Sequence, residues 1–144
     1  MRTFRAIRRI LFFALGSFYY IFRYLLKAAF VGHDLDRGIR LRKSWFKNIL
    51  WGLGIQLDTY GTPPDKGGLL IANHRSYIDP IIVLSQVLAM PVGKAEVQYW
   101  PIIGWGARVS GSIFVDRKTK EGRQKAREDI NTCLLYTSPS PRDS

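Results

Sequence analysis

Apolar positions in the first third of the chain recur with the period of an α-helix. Residues 10–22 (ILFFALGSFYYIF) carry no charged side chain, and the apolar character extends over residues 3–31, which we predict as one long helix. The polar residues 33–38 predict a turn. Two amphipathic helices joined by a polar turn form an αα-hairpin. The second helix is predicted over residues 39–53, where apolar side chains stand four positions apart: Leu41, Trp45 and Ile49.

The pattern changes at Ile55, where short apolar runs begin to alternate with helical segments. Residues 80–89 predict a helix, with Asp79 as its N-cap and Pro80 at its first position. Residues 119–132 predict a charged helix. The alternation of strands and helices predicts an α/β domain. The predicted strands cover residues 55–60, 69–72, 91–94 and 111–115; a loop covers 61–68, and 101–109 is helical or irregular.

Length and cysteine content limit the classes of protein that this chain can form. With 144 residues, of which 47% are hydrophobic, it is long enough for one domain and is not disordered by composition. Cys133 is its single cysteine, so no internal disulfide can form and we expect no metal site. Residues 133–144 turn polar and Pro-rich and look like a translated sequencing adapter. We therefore expect a non-native tail on a C-terminally truncated fragment.

Positive charge is concentrated in the apolar N-terminal third. The net charge is +11, and residues 1–48 hold 11 basic and two acidic side chains, a net charge of +9. A basic region attracts nucleic acid or anionic lipid. The uncharged run at residues 10–22 is typical of lipid-binding helices and not of nucleic-acid arms. The sequence therefore predicts a membrane phospholipid surface as a partner and no nucleic acid.

The uncharged run is too short to cross a bilayer by itself. Its 13 residues reach about 20 Å as a helix, against a hydrocarbon core of about 30 Å. A longer span would include Arg23 and Lys27, each costing about 2.5–3.5 kcal/mol at the bilayer centre. No signal-peptide cleavage site follows the run. We expect the hairpin, residues 1–54, to lie in one leaflet at the cytoplasmic face of the inner or plasma membrane, with a single tilted span as the alternative.

The candidate chemistry lies in a polar segment after the apolar residues 69–72, where Asp79 follows His74 by five positions. A neutral imidazole accepts a proton from an alcohol, and a carboxylate on its other nitrogen fixes the tautomer and stabilises the imidazolium. No Ser or Cys stands in an obvious nucleophile setting, so His74 would activate a substrate hydroxyl directly. The alternative is that Asp79 is an ordinary N-cap and that the pair arises by chance.

Three segments of the chain, taken together, resemble one known family. Residues 73–80 (NHRSYIDP) resemble the first signature, NHxSxxD within an HxxxxD pattern, of the glycerolipid acyltransferases of the 1-acylglycerol-3-phosphate acyltransferase type. Residues 111–117 (GSIFVDR) resemble the second signature. Between them, residues 93–96 (GKAE) and 101–105 (PIIGW) are similar to the connection of that family. Order and spacing agree over residues 55–130, so the combination is far more specific than any one segment.

The resemblance implies a reaction and a role for each matched residue. A fatty acyl group passes from acyl-CoA or acyl-carrier protein, the donor substrate, to the hydroxyl of 1-acylglycerol-3-phosphate, giving phosphatidic acid for phospholipid biosynthesis. It implies no cofactor and no acyl-enzyme. His74 would be the general base and Asp79 its orienting carboxylate. The implied substrate-binding residues are Arg117, which would bind the acceptor phosphate, with Lys94, Gly111 and Phe114.

The resemblance also implies a fold: residues 55–132 would be the N-terminal part of a mixed-sheet acyltransferase domain. The third and fourth signatures of the family are absent from the sequence, so we expect these 144 residues to be inactive alone. The acceptor stays open, because glycerol-3-phosphate or a lyso-aminolipid fits the same motifs. A non-catalytic basic membrane-binding module is the alternative from another class.

Overall fold

Helices make up most of the structure, a computed structural model that describes residues 2–62 and 68–137. A long N-terminal helix is followed by a second helix, and shorter helices and a small sheet follow these. In chain order the elements are α1 (Arg2–Val31), α2 (Leu35–Leu53), α3 (Asp79–Gln86), β1 (Val92–Lys94), a 3₁₀ helix (Ala95–Tyr99), α4 (Ile103–Val109), β2 (Ile113–Val115) and α5 (Lys120–Thr137).

The first two helices are formed as predicted, but the turn between them is shorter than the predicted 33–38. Asp34 has extended backbone angles, and its side chain accepts a hydrogen bond from the backbone N–H of Arg37 at 3.4 Å. This cap lets α2 begin at Leu35 instead of residue 39. Gly54 ends the helix in the left-handed conformation, with φ of 74°.

α1 packs against α2 through the indole of Trp45. This side chain is buried, and its Nε1–H donates to Ser17 Oγ at 3.2 Å. Its rings lie 5.7 Å from Phe12 and 5.2 Å from Tyr20, centroid to centroid. Gly16 stands directly against the indole, where a Cβ atom would overlap it. The glycine therefore permits the close approach of the two helices.

Much of the remaining surface of α1 is apolar and exposed. The segment Thr3–Val31 is long and apolar enough to cross a membrane by length and composition, and 11% of its most apolar window is buried. A core helix or a signal sequence can meet the same criteria, but a core helix would be mostly buried. The insertion depth, the hairpin in one leaflet and the cytoplasmic face stay predictions. The most exposed large side chains include Phe4, Ile10, Leu15, Phe18, Phe30 and Val31.

α2 also packs against α3, so contacts cross the predicted boundary at residue 54. Buried apolar side chains on the two helices include Ile49, Leu50 and Leu84. The predicted limits 1–54, 55–132 and 133–144 are not tested by these contacts and stay predictions. What the packing does establish is that α2 contacts both the N-terminal helix and the part of the chain that follows the His74 segment.

The sheet of the described residues has two strands, which pair in parallel. Val92 pairs with Ile113, Gly93 with Phe114 and Lys94 with Val115. These strands agree with the predictions for residues 91–94 and 111–115. A crossover through the 3₁₀ helix and α4 connects them, as parallel pairing requires.

Three predictions about elements are wrong. Residues 55–60 and 69–72 are irregular, and in the second segment Leu69 and Ile71 are 66% and 84% exposed. An apolar run becomes a strand when its backbone pairs with a neighbouring strand, and neither segment joins the sheet of the described residues. The predicted break at Cys133 is also wrong, because α5 continues to Thr137. The rest of the predicted tail, 138–144, lies outside the described residues, as do residues 63–67 of the predicted loop.

Candidate active site

The His74 segment folds back on itself around the carboxylate of Asp79. Asp79 Oδ2 accepts hydrogen bonds from the backbone N–H groups of Arg75 and Ser76, each at 2.6 Å. The same oxygen lies 3.2 Å from Nδ1 of His74. The turn is closed further by the Asp79 N–H, which donates to the Ser76 carbonyl at 3.1 Å. The sequence prediction that Asp79 returns to His74 agrees with this geometry.

The predicted N-cap role of Asp79 is wrong. Asp79 is itself the first residue of α3, and the cap position is Ile78. Pro80 is therefore the second residue of the helix instead of the first, which is the position predicted from the sequence. An N-cap side chain accepts from backbone N–H groups inside its helix. The Asp79 carboxylate instead faces the turn before the helix, where two N–H groups and the imidazole converge on one oxygen.

The same hydrogen bonds set the charge of Asp79. The N–H of Ser76, then the N–H of Arg75 and the contact with His74 hold the pKa of this carboxyl below its ordinary value, although partial burial acts in the opposite direction. The group is therefore ionised throughout the neutral range. An ionised carboxylate can only accept a hydrogen bond, so Nδ1 of His74 carries the hydrogen that it donates to Asp79, and Nε2 is left as the basic nitrogen. The His74 side chain is 61% exposed, so a substrate hydroxyl has access to it.

The two strands bring the predicted substrate-binding residues to neighbouring positions. Lys94 ends β1, and Arg117 follows the end of β2 by two residues. The carboxyl ends of parallel strands lie at one edge of a sheet, a common place for ligand sites. Phe114 lies in β2 opposite Gly93, and Gly111 forms the turn before β2 with φ of 75°. Within the described part of the chain, no hydrogen bond or ion pair connects Lys94 or Arg117 with His74 or Asp79.

Side chains that the sequence analysis did not single out shape the loop of Arg117. Asp116 Oδ1 accepts from the N–H of Lys118 at 2.9 Å, and Arg123 Nη1 donates to the Arg117 carbonyl at 2.8 Å. Lys118 also forms an exposed ion pair with Glu96 at 3.9 Å. An Asp two residues before a backbone N–H that it caps is a turn signal, so Asp116 was identifiable from sequence. The contacts of Arg123 and Glu96 depend on the fold.

Within residues 2–62 and 68–137, no group of three or more His, Cys, Asp or Glu side chains is arranged to hold a metal ion. The chemistry that the described groups offer is proton transfer at Nε2 of His74 and anion binding near the carboxyl ends of β1 and β2.

Comparison with known proteins identifies the class to which this site belongs. The sequence model of the family described as Acyltransferase matches residues 57–138, more than half of the chain. The chain therefore belongs to the glycerolipid acyltransferase family. The match spans the His74 segment, both strands and α5. No solved structure matches the chain significantly.

Two kinds of relative are similar to the chain. It is 33% identical over 102 residues (70% of this chain, 35% of the relative) to the lyso-ornithine lipid O-acyltransferase of Rhizobium meliloti. It is 34% identical over 71 residues (49% of this chain, 26% of the relative) to the enzyme of the same name from Rhodobacter capsulatus. It is 26% identical over 93 residues (63% and 35%) to the 1-acyl-sn-glycerol-3-phosphate acyltransferase of Neisseria meningitidis. The chain thus spans about a third of the length of these relatives or less.

Proposed function

We propose that the protein to which this chain belongs transfers a fatty acyl group from a thioester to the free hydroxyl of a lyso-lipid, with His74 as the general base. The observation that carries this proposal is the Asp79 carboxylate, which contacts Nδ1 of His74 at 3.2 Å while two backbone N–H groups hold it in place. In this proposal, the contact fixes the orientation of the imidazole, and Nε2 would face the substrate. Membership of the acyltransferase family supports the reaction class.

The step proceeds without an acyl-enzyme. Nε2 of His74 takes the proton of the acceptor hydroxyl as its oxygen forms a bond with the thioester carbonyl carbon. The carbon–sulfur bond then breaks, and the thiolate leaves with the proton that the imidazolium returns. The products are the ester and a free thiol, so atoms and charge balance. Asp79 stabilises the imidazolium between these two transfers. The donor in this proposal is acyl-CoA or acyl-carrier protein.

For the acceptor we propose 1-acylglycerol-3-phosphate, which would give phosphatidic acid. Arg117 would bind its phosphate with the two-pronged geometry of a guanidinium, and Lys94 would add a second positive charge. Their positions after the carboxyl ends of two paired parallel strands support this role. Gly111 and Phe114 would shape the same region, because one forms the turn before β2 and the other lies within it.

A lyso-ornithine lipid is the second candidate acceptor. The lyso-ornithine lipid O-acyltransferases of two bacteria are 33% and 34% identical to the chain, so relatives with this name are as similar to it as 1-acyl-sn-glycerol-3-phosphate acyltransferases are. An ornithine head group carries a carboxylate, which an Arg can also bind through two hydrogen bonds. Acyl transfer by the purified full-length protein to each of the two acceptors, under the same conditions, distinguishes the candidates.

The role of His74 is tested by substitution in the full-length protein. We expect His74→Ala to lower kcat/KM by about 10²–10⁴-fold, the contribution typical of a general base. The measurement is thiol release and ester formation in detergent micelles. His33→Ala is the matched control, because His33 lies in the turn between α1 and α2, against the ring of Tyr24. Turnover of His74→Ala within a few-fold of the unmodified protein would remove His74 from the mechanism.

A further inference from the structure

A second polar cluster lies away from the His74 turn and surrounds Arg42 of α2. Arg42 Nη1 donates to the Ser110 carbonyl at 2.8 Å and to Ser110 Oγ at 3.2 Å, and its Nη2 donates to the Ala89 carbonyl. These acceptors are 68 and 47 positions away along the chain. The guanidinium is therefore a bridge between α2 and two distant segments.

Both acceptors stand at corresponding places in the chain. Ala89 precedes the first residue of β1, Val92, by three positions, and Ser110 precedes the first residue of β2, Ile113, by the same number. Arg42 thus holds the two connections that lead into the paired strands. Two parallel strands whose entries are fixed have their carboxyl ends fixed as well, because the register of their ladder is set.

The packing around this bridge is close on the side of β2. A Cβ atom on Gly38 of α2 would lie 2.7 Å from the Val109 carbonyl, and one on Gly111 would lie 2.7 Å from Leu35 Cδ1. Ser110 is buried. The turn before β2 is therefore seated directly on the N-terminal half of α2, which leaves little freedom for the strand to shift.

The neighbouring residue of α2 makes a similar contact with α3. Lys43 Nζ donates to the Gln86 carbonyl at 2.6 Å, at the last residue of the helix that Asp79 begins. Arg42 and Lys43 thus connect α2 with both halves of the candidate active site. One half is the base with its carboxylate at the start of α3, and the other is the pair of strand ends that carry Lys94 and Arg117.

Burial distinguishes Arg42 from an ordinary surface arginine. Desolvation lowers the pKa of Arg42 to about 10, so the group remains charged at neutral pH. Its Nε atom is buried without a hydrogen-bond partner among the described residues. Arg40, on the same helix, is exposed and pairs with Asp36 four positions before it. Arg40 is accordingly the matched control for loss of one positive charge from α2.

We propose that Arg42 is a positioning residue for acyl transfer: by bridging α2 to the entries of β1 and β2, it sets where Lys94 and Arg117 stand relative to the His74–Asp79 pair. The inference rests on the proposed function of that pair and extends it to the first third of the chain. In this inference, the positions of the acceptor-binding residues Lys94 and Arg117 depend on α2, the helix that also packs against the exposed apolar helix α1.

The test is steady-state kinetics of the full-length protein in detergent micelles. The charged acceptor is 1-acylglycerol-3-phosphate or a lyso-ornithine lipid, whichever the unmodified protein acylates. Arg42→Gln removes the guanidinium group that donates to the carbonyls of Ala89 and Ser110. We expect the KM for the charged acceptor to rise by about tenfold, the equivalent of one charge-assisted hydrogen bond. The KM for the acyl donor and turnover of uncharged 1-acylglycerol should stay within about twofold, a factor too small to represent loss of such a bond.

Two further variants separate positioning from general stability. Arg42→Lys keeps the charge but has a single donor nitrogen, so the acceptor KM should fall between those of the unmodified protein and Arg42→Gln. Arg40→Gln should leave every parameter unchanged. If Arg42→Gln does not fold, Arg42→Lys alone carries the test, and an unchanged ratio of acceptor KM to donor KM in that variant contradicts the proposal.

The outcomes also distinguish this inference from the proposed function. Parallel losses with charged acceptor, uncharged acceptor and donor would show a purely structural role and overturn the inference. Unchanged acceptor KM in Arg42→Gln, together with an inactive His74→Ala, would overturn the inference alone. An active His74→Ala would overturn the proposed function itself.

Discussion

Asp79 carries more of the local structure than any other side chain in the candidate site. One of its oxygens accepts from two backbone N–H groups and contacts the imidazole of His74. A carboxylate held in this way orients the ring and stays ionised at neutral pH, because the hydrogen bonds lower its pKa. The same hydrogen bonds therefore hold the Asp79 carboxylate in place and keep it ionised. A substitution that keeps the shape of the side chain but removes its charge separates these two effects.

Asp79→Asn tests the charge with little change of shape. We expect acyl transfer by the full-length protein to fall by about 10²-fold or more, because an amide does not stabilise the imidazolium. The measurement is kcat/KM at neutral pH. Asp129→Asn is the control, since Asp129 is an exposed residue of α5 outside the candidate site. A kcat/KM for Asp79→Asn equal to that of the control would contradict the orienting role.

The lowered pKa of Asp79 also predicts how stability depends on pH. The folded state binds the proton of this carboxyl more weakly than the unfolded state, in which an aspartate has its ordinary pKa of about 3.8. Its contribution to the free energy of unfolding is therefore complete above that value and is lost as pH falls through the lowered folded-state pKa. Urea unfolding of the unmodified protein and Asp79→Asn from neutral to acidic pH should show a difference that shrinks on the acid side. A difference in the free energy of unfolding that grows on acidification would contradict this prediction.

At the scale of elements, α2 connects the N-terminal helix with the part of the chain that carries the candidate site. It packs on α1 through Trp45, on α3 through its apolar face, and on the strand entries through Arg42. The α1–α2 contact depends on the absence of a side chain at Gly16. Packing of this kind tolerates added volume poorly, because the interface has no space to absorb it.

Gly16→Ala should therefore destabilise the α1–α2 contact. The added Cβ overlaps the Trp45 indole, and we expect a loss of about 1–3 kcal/mol in the free energy of unfolding, the usual cost of overpacking. Chemical unfolding in detergent micelles measures it. Gly106→Ala is the control, because Gly106 lies in α4 with no atom near its absent side chain. That change should be neutral or stabilising by about 0.5–1 kcal/mol, since alanine favours a helix. Equal effects of the two substitutions would contradict the packing argument.

At the scale of the whole molecule, the distribution of charge and apolar surface is uneven. The first 48 residues carry a net charge of +9, and α1 exposes most of its large apolar side chains. Apolar burial and attraction to anionic lipid act together on such a surface, and salt weakens the electrostatic part alone. In our proposal, a lipid acceptor would reach the site from the membrane that the two helices are predicted to bind.

Single cysteine labels test how α1 lies in the membrane. With Cys133→Ser as background, we expect cysteines at positions 2 and 36 to react with a membrane-impermeant reagent from the cytoplasmic side only, because both ends of α1 are predicted on that side. Sealed vesicles of known orientation provide the measurement, and vesicles opened by detergent are the control. Labelling of the two positions from opposite faces would establish a span and contradict the one-leaflet arrangement.

The sequence by itself determined the features that depend on neighbouring residues. The apolar period predicted α1 and α2, the short runs at 91–94 and 111–115 predicted β1 and β2, and the spacing of His74 and Asp79 predicted their contact. For the helices and the turn this information is local, because helical period and turn closure act over a few residues. The pairing of β1 with β2 joins segments that are distant in the chain. The family signatures lie within these segments, so the sequence also predicted the family.

The tertiary structure decided what depends on partners distant in the chain. Residues 55–60 and 69–72 have the composition of strands but are irregular, because a strand requires a paired neighbour that sequence pattern does not supply. Asp79 is the first residue of α3, and yet its carboxylate accepts hydrogen bonds from the turn before the helix, because the folded turn brings two backbone N–H groups and the His74 imidazole to it. Arg42 looks like one of many basic residues in the sequence, and packing alone places it between Ala89 and Ser110. The pattern of the sequence indicates local conformational preference, whereas strand formation and the position of Arg42 depend on contacts between groups that are distant in the chain.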